Sequence, residues 1–203
     1  MKKQWYLLVL LILASLFKLS AAATIAPDAL IKETTDKLLS ELTTHRQALV
    51  DDHQKLYRLV NEVALPHFDF ESMSRLVLGR FWHQATSSQR EKFIEQFKTL
   101  LTRTYATALF EYNGQEIVYK PFRLKPGETL AVVKTEIMPK EGPRIPFHYA
   151  LKQIENGQWK IFDVRVDGIS LVTNYRTSYT QKIEQHGIDS LISTLADKNK
   201  SAR

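Results

Sequence analysis

Hydrophobic and polar positions along this chain change period twice. From Pro27 to about Leu109 the apolar residues recur at helical spacing. From Ile117 to Val166 they alternate, and after Ser170 the helical period returns. The longest helical run follows Thr86. Phe93, Phe97, Leu100, Leu101, Tyr105 and Ala108 form its stripe, widened by Ile94 and Leu109. Glu91, Lys92, Glu95, Lys98 and Thr102 form its polar face. Thr86, with Gln89 three residues on, supplies a capping box that starts it.

Shorter helices are predicted upstream. Pro27 and Asp28 open the first, with Leu30, Ile31, Leu38 and Leu42 on one side through about Thr44. A second follows Asp51 or Asp52, carries Leu56, Leu59, Val60 and Val63, and ends at Pro66. Asp69 caps a third, with Met73, Leu76, Val77 and Leu78, which Gly79 stops. The alternating region reads as four strands: Ile117 to Phe122, Leu130 to Met138, Ile145 to Leu151 and Trp159 to Val166. Phe162, Val164 and Val166 share one face of the last by strict alternation. Asn156-Gly157 is a hairpin turn. Ser170 caps a helix to about His186, Gly187 stops it, Ile188 to Leu195 is a last short helix, and the residues after it are a solvated tail. Helices, then an antiparallel meander, then helices make an α+β fold, with the helices packed on one face of a curved sheet. A long helix across a bent sheet leaves a conical space, similar to the cone-like NTF2-like folds, with room for an internal apolar cavity.

The N-terminus stands apart from this pattern. Lys2 and Lys3 precede an apolar run from Trp5 to Phe17, and Ala21-Ala22-Ala23 follows as a small-residue cleavage site. The run is shorter than the roughly 20 residues of a membrane span, so it reads as a cleaved secretory signal peptide over residues 1–23. Removing 23 of the 203 residues leaves 180, enough for a single domain with its own core over residues 24–203. The loss of Lys2, Lys3 and Lys18 lowers the formal charge from +6 to +3. The remaining cations are interspersed with carboxylates, which argues against nucleic acid as a partner. The chain has no cysteine, so it has neither disulfides nor the lipid attachment site of a bacterial lipoprotein.

Candidate chemistry is sparse. His45, His53, His67, His83, His148 and His186 show no helical zinc-pair spacing, and no phosphate-cradling glycine loop is present. Neither metal nor cofactor is expected. The best catalytic set is Asp163 and Asp167 near the end of the last strand with His148 on the strand before; a carboxylate beside an apolar cavity is a competent base. Against this, Asp163 and Arg165 share the outer face and can pair there, and Asp167-Gly168 is turn chemistry. The aromatic and aliphatic positions, Phe93 to Tyr179, form either a filled core or the lining of one pocket.

A resemblance weighs on that choice. Asp69-Phe70, Met73, Leu78-Gly79-Arg80-Phe81-Trp82, Gln89-Arg90, Phe93 and Tyr105 occur in order. So do Trp159 to Val164, Asp167 to Val172, Asn174-Tyr175-Arg176, Gly187-Ile188-Asp189 and Leu191-Ile192. Together they resemble the MlaC family, also called the toluene-tolerance family, of periplasmic phospholipid-binding proteins. Asp167 where glutamate is common and Ser87 in place of proline are minor departures, and neither touches the functional reading. The resemblance implies a periplasmic carrier that holds a glycerophospholipid by its acyl tails and maintains outer-membrane lipid asymmetry. Its partners would be an outer-membrane lipoprotein–porin complex and an inner-membrane ABC transporter assembly with its substrate-binding subunit. The residues expected to meet the tails are Phe97, Leu101, Tyr105, Tyr149, Val164, Val166 and Tyr175. Arg80, Arg103 and Arg176 are candidates for the phosphate or a partner surface. The alternative is a small-molecule enzyme of a cone-shaped fold using Asp163, Asp167 and His148.

Overall fold

A computed structural model of the chain describes residues 25–201. The expected signal peptide lies outside them. Among the described residues no helix is long and apolar enough to cross a membrane. Helix α1 (Pro27–Thr44) begins at Pro27, whose fixed φ and missing N–H suit a first helical position. A short helix, α2 (Arg46–Asp51), follows without an apolar stripe to announce it. It is held from outside: the Arg46 guanidinium donates to the Phe110 and Tyr112 carbonyls at 2.7 and 2.8 Å. Asp52 caps α3 (His53–Val63) by accepting the Gln54 N–H. Asp69 caps α4 (Phe70–Leu78) by accepting the Ser72 N–H. Leu76, expected on the buried side of α4, is exposed.

The four-residue helix α5 (Phe81–Gln84) leads into the long helix α6 (Ser87–Ala106), which has both hydrogen bonds of its capping box. Its stripe is displaced at the C-terminal end. Thr102, expected to be solvated, is buried and turns its hydroxyl back to the Lys98 carbonyl at 2.9 Å. From Thr107 to Glu111 the helix tightens to a 3₁₀ turn, which swings Ala108 into solvent.

Five antiparallel strands follow in sequential order: β1 (Glu116–Tyr119), β2 (Leu130–Met138), β3 (Ile145–Gln153), β4 (Trp159–Val166) and β5 (Ile169–Ser170). β1 is shorter than its alternation, since Pro121 has no N–H to continue the ladder. β4 departs from alternation too. Leu151 pairs with Ile161 but Ala150 pairs with Asp163, so Phe162 is an extra residue, a β-bulge. Trp159 and Ile161 therefore share the inner face with Val164 and Val166, and Phe162 does not. Helix α7 (Leu171–Ser201) is broken at Gly187, with φ 78° and ψ 167°. Its second part runs through the expected tail, where Asn199 is buried and donates to Gln96 at 2.9 and 3.0 Å.

Among the described residues the core is in three pieces. Met73, Trp82, Phe93, Phe97, Tyr179 and Leu191 belong to a cluster of α4, α5, α6 and α7. Leu30 and Ile31 of α1 pack on Val133, Leu151, Trp159 and Ile161 of the sheet. Leu42, Leu56, Val60 and Ala106 join α1, α3 and α6.

Candidate functional site

The three clusters meet without closing on one another, and between them lies a cavity of about 250 Å³. Leu38 of α1 and Val60 of α3 reach it, with Ala64 and Leu65 just beyond. Phe68, Phe70 and Met73 line it around the start of α4. Leu101, Thr102, Tyr105 and Ala106 of α6, then Leu109, form another wall. Phe147, Tyr149, Val164 and Val166 of the sheet and Leu171 at the head of α7 complete it. The bulge in β4 is what turns Val164 and Val166 inward.

Among the described residues, no carboxylate, histidine, lysine or arginine lines this space. Its polar side chains are Thr102, Tyr105 and Tyr149, and the Thr102 hydroxyl donates to the Lys98 carbonyl of its own helix. Desolvation pushes the Tyr149 phenol up to about 12. It also raises the Tyr175 and Tyr179 phenols, reinforced in each by neighbouring tyrosines. Such a wall favours methylene and methyl groups; an unpaired charge placed there would have no partner.

Of the seven expected tail-binding residues, the structure brings Leu101, Tyr105, Tyr149, Val164 and Val166 to the cavity. Tyr105 is 39% exposed although it lines the space, which marks the mouth. Phe97 and Tyr175 are not on the lining. Phe97 is fully buried in the helical cluster and meets Tyr175 edge-on at 5.2 Å. The three arginines are elsewhere as well. Arg80 pairs with Glu184, Arg103 donates to the Asn199 carbonyl and lies over Tyr57, and Arg176 packs on Gly79.

The catalytic candidates are not assembled at the cavity. Asp163 is buried and accepts the Ser170 hydroxyl at 2.7 Å and the Val172 N–H at 3.1 Å, so it caps α7. Its pairing with Arg165 is loose, at 3.9 Å. His148 stands opposite Lys134 and Arg165 on the other face of the sheet from Phe147 and Tyr149. Asp167 takes a positive φ of 52° in the turn between β4 and β5.

Phe68 and Phe70 are the lining residues that sequence reasoning missed most clearly. Their signal was faint: two aromatics flanking the Asp69 cap. What places them is long-range, since the Asp69 N–H donates to the Ile161 carbonyl at 2.8 Å and lays this segment along β4.

The model of the MlaC protein family matches residues 32–197, a span that holds every residue lining the cavity. The chain belongs to the MlaC family. It is 29% identical over 181 residues to toluene tolerance protein ttg2D of Pseudomonas putida, covering 89% of this chain and 83% of that one. It is 26% identical over 196 residues to the intermembrane phospholipid transport system binding protein MlaC of Haemophilus influenzae, covering 95% and 92%. Among solved structures it is similar to the phospholipid-binding protein from Ralstonia solanacearum, determined in complex with a phospholipid. That likeness has a TM-score of 0.80 at 30% identity, over 88% of this chain and 99% of the other. An α+β fold with a curved antiparallel sheet is thus the MlaC fold in this chain.

Proposed function

We propose that this chain carries a glycerophospholipid through the periplasm, holding it by its acyl tails in the cavity between the three clusters. The observation that carries the reading is the lining: among the described residues, seventeen line the cavity and none of them has a charged side chain. That the Ralstonia relative was solved with a phospholipid supports the choice of ligand class. Leu101, Tyr105, Tyr149, Val164 and Val166 contact the tails, and the head group stays outside the cavity. Because no cation lines the cavity among the described residues, selectivity among head groups is weak.

Moving a tail through water costs about 0.8 kcal/mol per exposed CH₂. An apolar cavity removes most of that cost, but so does a bilayer, so the carrier alone sets no direction. Direction comes from its partners: an outer-membrane lipoprotein–porin complex and an inner-membrane ABC transporter assembly with its substrate-binding subunit. In this role the protein helps keep phospholipid out of the outer leaflet of the outer membrane. Residues 1–23 direct export and are then removed, leaving 24–203 as one lipid-binding domain, and the role needs no catalytic step.

Mass spectrometry of an organic extract tests this, with the mature protein purified from periplasm without detergent. Stoichiometric phospholipid is expected. An empty extract, with native spray also showing bare protein, would remove the reading.

A further inference from the structure

The apolar inner face of the sheet continues past the cavity. The strand register aligns Ile117, Ile137 and Ile145 directly across β1, β2 and β3. Two residues further along β3, Phe147 aligns with Val166 of β4, and Val166 aligns with Ile169 of β5. Residues directly opposed across antiparallel strands share a face, as do positions i and i+2 within a strand. Phe147 and Val166 wall the cavity, so Ile145 and Ile169 lie on the same face, just outside it. Ile145 is 37% exposed and Ile169 62% exposed.

A single exposed aliphatic needs no explanation. These two are distinguished by continuity: each adjoins a lining residue, one along the strand and one across it. The cavity also leaves something to be housed. Its volume of about 250 Å³ lies below the roughly 300–1,000 Å³ that drug-sized ligands fill. A diacyl phospholipid is larger, each tail spanning half of a hydrocarbon core about 30 Å thick.

We infer that Ile145 and Ile169 form an acyl-chain track at the cavity lip. The tail ends lie inside, and the methylenes nearest the glycerol emerge over Phe147 and Val166 onto the two isoleucines. This rests on the carrier reading and adds where the enclosed part of the ligand stops. The track sees chain length and is blind to head group.

The test compares the mature protein with the variant carrying both Ile145→Ser and Ile169→Ser. Two probes with the same head group are titrated: dihexanoylphosphatidylglycerol below its micelle concentration, and palmitoyl-oleoyl phosphatidylglycerol loaded from vesicles, each quantified by native mass spectrometry. The double variant should bind the long-chain lipid about tenfold more weakly and the short-chain lipid as the parent does. Should the double variant fail to fold, Ile169→Ser alone, on a two-residue edge strand, should show about a threefold loss confined to the long-chain probe. Equal losses for both probes would overturn the track. So would no loss for either, which would give the lip to a partner protein or mean that the cavity expands around whole tails. A parent protein that binds neither probe would instead remove the carrier reading itself.

Discussion

At Gly79 the backbone takes φ 53° and ψ −121°, a conformation that residues with a Cβ resist. A Cβ there would also lie 2.7 Å from Nη2 of Arg176. The guanidinium is the free end of an exposed side chain and can move away; the backbone cannot. Gly79→Ala should therefore destabilise the fold by about 1–3 kcal/mol in urea unfolding, and adding Arg176→Ala should recover little of it. Complete recovery would show that the contact, and not the backbone, carried the cost. Asp163 yields a second prediction at this scale. Removing its carboxylate with Asp163→Ala strips a buried cap from α7 and should cost about 2 kcal/mol while leaving lipid occupancy intact. Loss of occupancy in the folded variant would assign Asp163 a role at the cavity. The sequence placed Gly79 correctly as a helix stop and Asp163 correctly on the outer face. It could not show that the start of α7 folds over Asp163, because that contact depends on the β4–β5 turn. Phe97 and Tyr175 show the same limit. Periodicity put them on apolar faces, and only the packing of α6 on α7 decides that they face each other and not the cavity.

Among the elements, strand ends and helix starts were the most legible. β2 and β4 occupy the residues their alternation marked, and the Thr86, Asp69 and Asp52 caps start the helices they precede. The bulge at Phe162 was not legible, since alternation counts residues and a bulge inserts one. Helix α2 was missed because Arg46, not an apolar stripe, secures it. The attachment of α4 to the sheet was also hidden: the Lys152 ammonium bonds the Asp69 carboxylate at 2.7 Å and the Ser72 hydroxyl at 2.5 Å. Burial alone would raise the Asp69 carboxyl and is the largest single influence on it. The Lys152 ammonium, with the Ser72 N–H and hydroxyl, outweighs it and holds the group below its ordinary value. A carboxyl with a lowered folded pKa contributes stability that is complete above its unfolded value and lost as pH falls through the folded one. The clamp should therefore weaken below about pH 4. Asp69→Asn should flatten the drop in urea midpoint between about pH 5 and pH 3; parallel curves for variant and parent would show that the clamp contributes nothing there.

For the molecule as a whole, the open question is why three well-packed clusters enclose a space that none of them fills. In engineered cores a cavity costs about 24 cal/mol per Å³, so a void of about 250 Å³ forgoes roughly 6 kcal/mol of packing as an upper estimate. That rivals the roughly 5–15 kcal/mol by which whole domains are stable. Helical periodicity and strand alternation predicted helices over a curved sheet and left both a pocket and a filled core open, because the void depends on how segments from Leu38 to Leu171 meet. If the space exists to hold tails, function and stability should separate when a side chain fills it. Ala106 is buried on the lining and sits beside Leu101 and Tyr105. Ala106→Leu adds three carbons where there is room, so the lipid-free protein should melt at the same temperature or higher. The same variant should retain at least tenfold less phospholipid, since the added side chain takes volume from the ligand. Lower stability with full occupancy would mean that Ala106 is ordinary core and that the tails lie elsewhere. Higher stability with reduced occupancy would mean that the packing this chain forgoes is what its ligand supplies.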